Sequence, residues 1–148
     1  ICNGFQVLCE AGLLPGALQH NNSHSFICKN VFLKPASSSN ALTADLDTDK
    51  AYKIPIAHGE GHYYAPDETI KELEANEQII GYYCDENGEV TDAANPNGSN
   101  KNIVGVTNKG KNVFGMMPHP ERAADEVLGN QDGRAFFESL LKNISALA

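Results

Sequence analysis

The feature that most constrains this chain is a cysteine followed closely by a glycine, in the run Ile-Cys-Asn-Gly-Phe-Gln of residues 1–6. Gly4 comes two residues after Cys2, where a sharp turn from extended backbone into a helix favours a residue without a Cβ atom. Apolar residues at helical spacing then predict a short helix over residues 3–13. The sequence therefore predicts a cysteine on a tight turn that opens a helix.

A thiol in this position has chemical consequences. Cys2 would lie at the positive end of the helix dipole, which favours the thiolate form. The backbone N–H of Asn3 would point toward negative charge developing on a carbonyl group under attack. Free cysteine is more often a small buried apolar residue, and we interpret Cys9, Cys28 and Cys84 in that way. Cys2 is the candidate nucleophile.

A histidine and an acid near the other end of the chain supply the groups that such a nucleophile needs. His119 lies between Pro118 and Pro120, and a following proline favours extended backbone. Alternate side chains of an extended segment face the same side, so His119 and Glu121 are expected to face one pocket. Together with Cys2 they would form a set of nucleophile, general base and orienting acid.

The sequence also contains features of two other chemistries. An N-terminal-nucleophile hydrolase uses the free α-amine of the nucleophile itself, and here Ile1 precedes Cys2. The pair His58 and His62 suggests a metal site, but a zinc-binding pair of this spacing needs a helix, which the two glycines between them disfavour. We expect no metal site.

Composition excludes several classes of function. The chain has 148 residues, enough for one domain, and a formal net charge of −8. Its basic residues are scattered, which argues against a nucleic-acid partner. It has no long apolar run for a membrane span and no signal-peptide pattern. The four cysteines form no C-x-x-C pair, so we expect reduced thiols and a cytoplasmic location.

The hydrophobic pattern predicts a mixed α/β arrangement after the first helix. One helix is expected over residues 66–76, with Asp67 as its N-cap, and a final helix over residues 132–145. A polar loop is expected over residues 35–49. Five strands are predicted, over residues 25–34, 51–57, 78–84, 103–107 and 112–117.

Residues 2–6 and 118–121 together resemble the class I, or triad, glutamine amidotransferases. A finer resemblance is to the glutaminase subunits of phosphoribosylformylglycinamidine synthases, and residues 55–61, 94–99 and 116–122 carry it. The resemblance covers nearly the whole chain. It implies a flavodoxin-like α/β fold in which helices flank a mixed sheet.

The family pattern also has a glycine two residues before the nucleophile and a glycine-rich loop that supplies a second oxyanion donor. Here one residue precedes Cys2. We therefore interpret residues 1–148 as a partial type-1 glutamine amidotransferase domain, a C-terminal fragment without its N-terminal strands. We expect weak activity or none from the fragment alone.

The resemblance implies a reaction. Glutamine would be hydrolysed to glutamate and ammonia, and the ammonia would serve phosphoribosylformylglycinamidine synthase in de novo purine biosynthesis. The implied catalytic residues are Cys2, His119 and Glu121. The implied substrate-binding residues are Asn3, Gln6, His58, Gly59 and Glu60.

The resemblance also implies partners. They are L-glutamine, an ATP-dependent synthetase subunit and a small third subunit, with ATP and Mg²⁺ bound by the synthetase and no cofactor in this chain. The polar turn at residues 95–99 would mark the subtype and face the synthetase, with no chemical step assigned to it. Two alternatives stay open: a triad glutaminase that serves another synthetase, and a non-catalytic binding module of the same fold.

Overall fold

The structure is a computed structural model that describes residues 1–144. Its helices are α1 (Asn3–Glu10), α2 (Asp67–Ala75) and α3 (Arg134–Asn143). Short 3₁₀ turns include Asn100–Asn102 and Pro120–Ala123. The strands are β1 (Ala17–Gln19), β2 (Ile27–Pro35), β3 (Tyr52–His58), β4 (His62–Tyr64), β5 (Ile79–Cys84), β6 (Ile103–Thr107) and β7 (Phe114–Met116).

Five of these strands form the main sheet, in the order β3-β2-β5-β6-β7, and their pairings are antiparallel. The long strand β2 pairs with β3 along its first part and with β5 along its last part, so Phe32 lies opposite both Lys53 and Cys84. Strands β1 and β4 form a separate two-stranded sheet. Strand β3 is therefore an edge strand whose outer carbonyl groups are available to other segments.

The sheet separates two hydrophobic cores, because successive side chains of a strand point to opposite faces. Ile80 and the α3 residue Phe136 belong to one of them, which we call the α3-side core. Ile79 and the α1 residue Phe5 belong to the other, which also contains α2 residues and which we call the α1-side core. The predicted α/β class, with helices flanking a sheet, is confirmed.

Most predicted elements are present with shifted ends. The strand predicted over residues 103–107 has those bounds, and the ends of the other predicted strands lie within two residues of the observed ones. The first helix ends at Glu10, earlier than predicted. The last helix is described as far as Asn143, and the predicted end at Ser145 lies outside the described residues.

Two details of the prediction are wrong. The N-cap of α2 is Pro66, and Asp67 is the first helical residue, where its carboxylate faces the positive end of the dipole but caps no backbone N–H. The sheet of β1 and β4 was missed, because three-residue strands give too short a pattern to recognise. No helix in residues 1–144 combines the length and apolar character needed to cross a bilayer.

Candidate active site

The candidate nucleophile lies on a tight turn that opens a helix, as predicted. Cys2 has φ 53° and ψ −110°, a positive-φ conformation that costs a non-glycine residue on the order of 1–3 kcal/mol. Its N–H donates to the Met116 carbonyl at 2.9 Å, and its own carbonyl accepts from Phe5 N–H at 2.9 Å inside α1. Asn3 is the first residue of α1, so its N–H has no acceptor within the helix.

Helix α1 is anchored by one aromatic side chain. Phe5 is fully buried, and its ring stacks on that of Tyr63 with 5.8 Å between centroids. On strand β7, Gly115 leaves the space that the Phe5 ring fills, since a Cβ there would collide with the ring. This packing fixes the start of the helix against β7, and with it the position of Cys2.

The candidate base is paired with the predicted acid. His119 Nδ1 lies 2.5 Å from Glu121 Oε1, so Nδ1 carries the proton that is donated to the carboxylate. This tautomer leaves Nε2 as an acceptor, and Nε2 is buried without a hydrogen-bond partner in the structure. The side chain of Glu121 is 46% exposed and is also 3.8 Å from Arg122 Nε.

Cys2 and His119 lie along the same edge of the sheet. The His119 N–H donates to the Pro55 carbonyl at 2.8 Å, and the Cys2 thiol lies 3.8 Å from the Ala57 carbonyl. Residues two apart on a strand send their carbonyl groups to the same side, so both contacts are with the outer edge of β3. The proton-sharing contact between Cys2 Sγ and His119 Nε2 stays a prediction.

A cavity of about 430 Å³ opens beside the thiol. Cys2 and Gln6 line it from α1, and Gly59 and Glu60 line it from the turn between β3 and β4. Gln6 Nε2 donates to Glu60 Oε2 at 2.9 Å, and His20 Nδ1 lies 3.5 Å from Glu60 Oε1. The lining thus contains one thiol and one carboxylate, those of Cys2 and Glu60.

His58 lines the same cavity but is mostly committed to internal contacts. It is 4% exposed, and burial, assisted by the nearby His119, lowers its pKa to about 4. Its Nδ1 lies 3.1 Å from Asn21 Oδ1, and its Nε2 lies 3.5 Å from Asn97 Nδ2. The ring is therefore neutral and supports the turn, while its predicted contact with substrate stays a prediction.

The turn at residues 95–99 was predicted to face a partner, yet part of it points inward. Asn97 and Ser99 are 1% and 2% exposed, and both donate to the Gly61 carbonyl, at 2.8 and 3.2 Å. Sequence reasoning also missed Asn21, which is fully buried. An asparagine in a polar run carries no signal of burial, because asparagines are common in exposed turns.

In residues 1–144 no group of three or more His, Cys, Asp or Glu side chains is placed to bind a metal ion. A second cavity, of about 410 Å³, lies between Leu13 and Leu73 and contains none of the predicted site residues. The predicted residues that share a cavity are Cys2, Gln6, His58, Gly59 and Glu60.

A cysteine on a tight turn before a helix, on the same edge of β3 as a histidine paired with a carboxylate, is the arrangement expected of an α/β domain that uses cysteine as a nucleophile. The family profile of the CobB/CobQ-like glutamine amidotransferase domain matches residues 1–139. The chain belongs to this family.

Curated relatives agree with this membership. The chain is 49% identical over 144 residues to the phosphoribosylformylglycinamidine synthase subunit PurQ of Chlorobium luteolum, covering 97% of this chain and 62% of the relative. It is 52% identical over 143 residues to the PurQ subunit of Aquifex aeolicus, and this match covers 97% of this chain and 63% of that relative. The chain thus spans slightly under two thirds of the length of these relatives.

A solved structure matches the fold. In the structure of PurLQS from Thermotoga maritima, one chain superposes on this chain with a TM-score of 0.80 and 41% sequence identity. The match covers 96% of this chain and 59% of that one. The arrangement of helices and sheet described above is therefore shared with one chain of that structure.

Proposed function

We propose that this chain hydrolyses the side-chain amide of glutamine and supplies the ammonia to phosphoribosylformylglycinamidine synthase in de novo purine biosynthesis. The observation that carries the proposal is the cavity in which the Cys2 thiol and the Gln6–Glu60 pair face one another. Membership of the glutamine amidotransferase family, and relatives that are named as PurQ subunits, support the choice of substrate and pathway.

The chemistry follows from the residues at the edge of β3. His119 Nε2 takes the proton of the Cys2 thiol, and the resulting thiolate attacks the amide carbon of glutamine. The Asn3 N–H donates to the oxygen that becomes negative. His119 gives a proton to the leaving nitrogen as the carbon–nitrogen bond breaks, so ammonia departs and a thioester remains. His119 Nε2 then takes a proton from water, which attacks the thioester and releases glutamate and the thiolate.

Glu121 has a supporting role in both halves of the reaction. Its contact with Nδ1 fixes the tautomer in which Nε2 accepts a proton, and its charge stabilises the imidazolium that forms. The covalent route is favoured because an amide is a poor electrophile, and two smaller barriers replace one large barrier.

The other end of the substrate is bound by charge. The α-ammonium group of glutamine pairs with the Glu60 carboxylate, which Gln6 orients from α1. Gly59 and His58 form the wall next to it. Because the thiol and this carboxylate line the same cavity, an amino acid with a two-carbon side chain before its amide can reach both.

The proposed partners are those of the relatives' assemblies. The ammonia passes to a synthetase subunit that binds ATP and Mg²⁺, and a small third subunit completes the complex. We assign no cofactor, nucleic acid or membrane to this chain. All four cysteines are free thiols in the structure, which agrees with a cytoplasmic location.

The test is covalent labelling of the full-length protein with a diazoketone analogue of glutamine, followed by mass spectrometry. We expect one adduct, on Cys2, and protection by glutamine. A non-catalytic binding module would bind glutamine without an adduct. Co-purification with the phosphoribosylformylglycinamidine synthetase subunit separates the proposal from a glutaminase that serves another synthetase.

A further inference from the structure

One buried asparagine hydrogen-bonds three backbone groups of the turn that carries Glu60. Asn21 Nδ2 donates to the His58 carbonyl at 2.8 Å, and Asn21 Oδ1 accepts from the Gly61 N–H at 3.0 Å. The Asn21 backbone N–H donates to the Gly59 carbonyl at 2.9 Å. The side chain thus bonds both ends of the turn of residues 58–61, and the backbone bonds its middle.

A second buried asparagine bonds the turn from the opposite side. Asn97 Nδ2 lies 2.8 Å from the Gly61 carbonyl and 3.5 Å from His58 Nε2. Its Oδ1 accepts from the backbone N–H of Ser99 at 3.0 Å, which fixes the amide orientation. Because Asn21 Oδ1 accepts from His58 Nδ1–H, Nε2 is unprotonated and accepts from Asn97, so the ring bridges the two amides.

The two asparagines are also tied to one another. The Asn22 N–H donates to the Asn97 carbonyl at 3.1 Å. The next residue, Gly98, has φ 88° and lies against the Asn22 side chain, where a Cβ would collide. Asn21, Asn97 and the neighbours that connect them therefore form one buried unit, which we call the asparagine network.

The asparagine network bonds the turn and includes none of the proposed reacting groups. It bonds the backbone on either side of Glu60, whereas the Glu60 carboxylate itself contacts Gln6 and His20. Gly61 lies so close to the His58 ring that a Cβ would collide with it, so the turn has little room to settle elsewhere.

We infer that Asn21 and Asn97 are positioning residues that set the place of Glu60 and Gly59 relative to Cys2, and thereby determine the affinity for the amino-acid end of glutamine. This inference rests on the proposed function. The amino-acid end is bound equally in the ground state and in the transition state, so a displaced turn raises KM and leaves kcat nearly unchanged.

The experiment compares Asn21→Ala and Asn97→Ala with Asn40→Ala in the full-length protein. Asn40 is a matched control: it is 4% exposed, its Oδ1 accepts from the N–H groups of Leu42 and Thr43, and none of these bonds is to the turn or to the asparagine network. We expect KM for glutamine to rise about tenfold in the first two variants, because each loses one or two buried hydrogen bonds. We expect kcat to stay within about threefold of the wild-type value. The control keeps the KM of the wild type.

Two further readouts separate positioning from general damage. Alkylation of Cys2 by iodoacetamide does not use the turn, and its rate should stay within about twofold of wild type. Hydrogen exchange of the Gly61 amide, which bonds Asn21 Oδ1, should become faster in Asn21→Ala. If Asn97→Ala does not fold, Ser99→Ala gives the answer, with a smaller rise in KM in the same direction.

The outcomes are distinct. Equal KM values in all three variants, or a fall in kcat that matches the rise in KM, would overturn the inference. Wild-type protein without glutaminase activity would instead overturn the proposed function, and the exchange rate of the Gly61 amide would still decide whether the network fixes the turn.

Discussion

The backbone N–H of Cys2 donates to the carbonyl of Met116, 2.9 Å away, and so joins the beginning of the chain to the strand that leads to His119. Three residues after Met116, the chain places His119 against the outer edge of β3, where the Cys2 thiol also lies. Backbone hydrogen bonds thus attach Cys2 to β7 and His119 to β3, and such bonds tolerate changes in the side chains around them.

Replacement of the nucleophile should separate two activities of the complex. Cys2→Ala removes the thiol, so glutamine-dependent synthesis should fall by about a thousandfold or more. Synthesis from added ammonium chloride should continue, because ammonia bypasses the thioester. Both rates can be measured in one assay, and parallel loss would mean that Cys2 is needed for assembly and not for chemistry.

The base and its acid should differ in importance. His119→Asn removes proton transfer and should lower kcat by about 10²- to 10⁴-fold. Glu121→Gln should cost about tenfold, since the side chain is 46% exposed and water can partly replace it as an acceptor for Nδ1. Steady-state glutaminase kinetics measure both, and equal losses would contradict the supporting role of Glu121.

The carboxylate in the cavity should govern binding. Glu60→Gln removes a charge that pairs with the α-ammonium group and should raise KM for glutamine about 10- to 100-fold. Glu74→Gln is the control, because Glu74 pairs with Lys101 and does not line the cavity. An unchanged KM in Glu60→Gln would place the amino group elsewhere.

The buried histidine should make the protein sensitive to acid. The folded state lowers the pKa of His58 to about 4, below that of an unfolded histidine near 6.5, so the unfolded state binds the extra proton first. The stability that the neutral His58 ring contributes at neutral pH is therefore lost as the pH falls from about 6.5 toward 4. Between pH 7 and pH 4.5 the free energy of unfolding should fall by about 2 kcal/mol through this group.

Urea unfolding at the two pH values measures this loss. His58→Gln cannot take up the proton, so its free energy of unfolding should fall less than that of the wild type over the same range. Equal losses in the two proteins would assign the acid sensitivity to other groups.

Some of the site could be predicted because its signals are local. A cysteine two residues before a glycine, and a histidine between prolines two residues before a glutamate, each depend on short-range backbone preferences. The α/β class followed from hydrophobic periodicity in the same way.

The rest depends on contacts between distant segments. Asn21 and His58 are 37 positions apart, and Asn97 and His58 are 39 apart, so no local pattern connects them. The Gln6–Glu60 bond spans 54 positions. The composition of residues 95–99 is typical of a surface turn and therefore predicts an exposed Asn97. Only the fold shows that Asn97 is buried.

Because the sheet separates the two cores, mutations in different cores would displace different halves of the site. Phe5 ties the thiol to the α1-side core, whereas Ala123, four residues after His119, lies in the α3-side core with Phe136. A mutation that loosens the packing of α3 would shift the imidazole and spare the sulfur. Such a protein would still capture one molecule of an alkylating reagent yet fail to turn over substrate, so labelling alone would overstate the fraction of working enzyme.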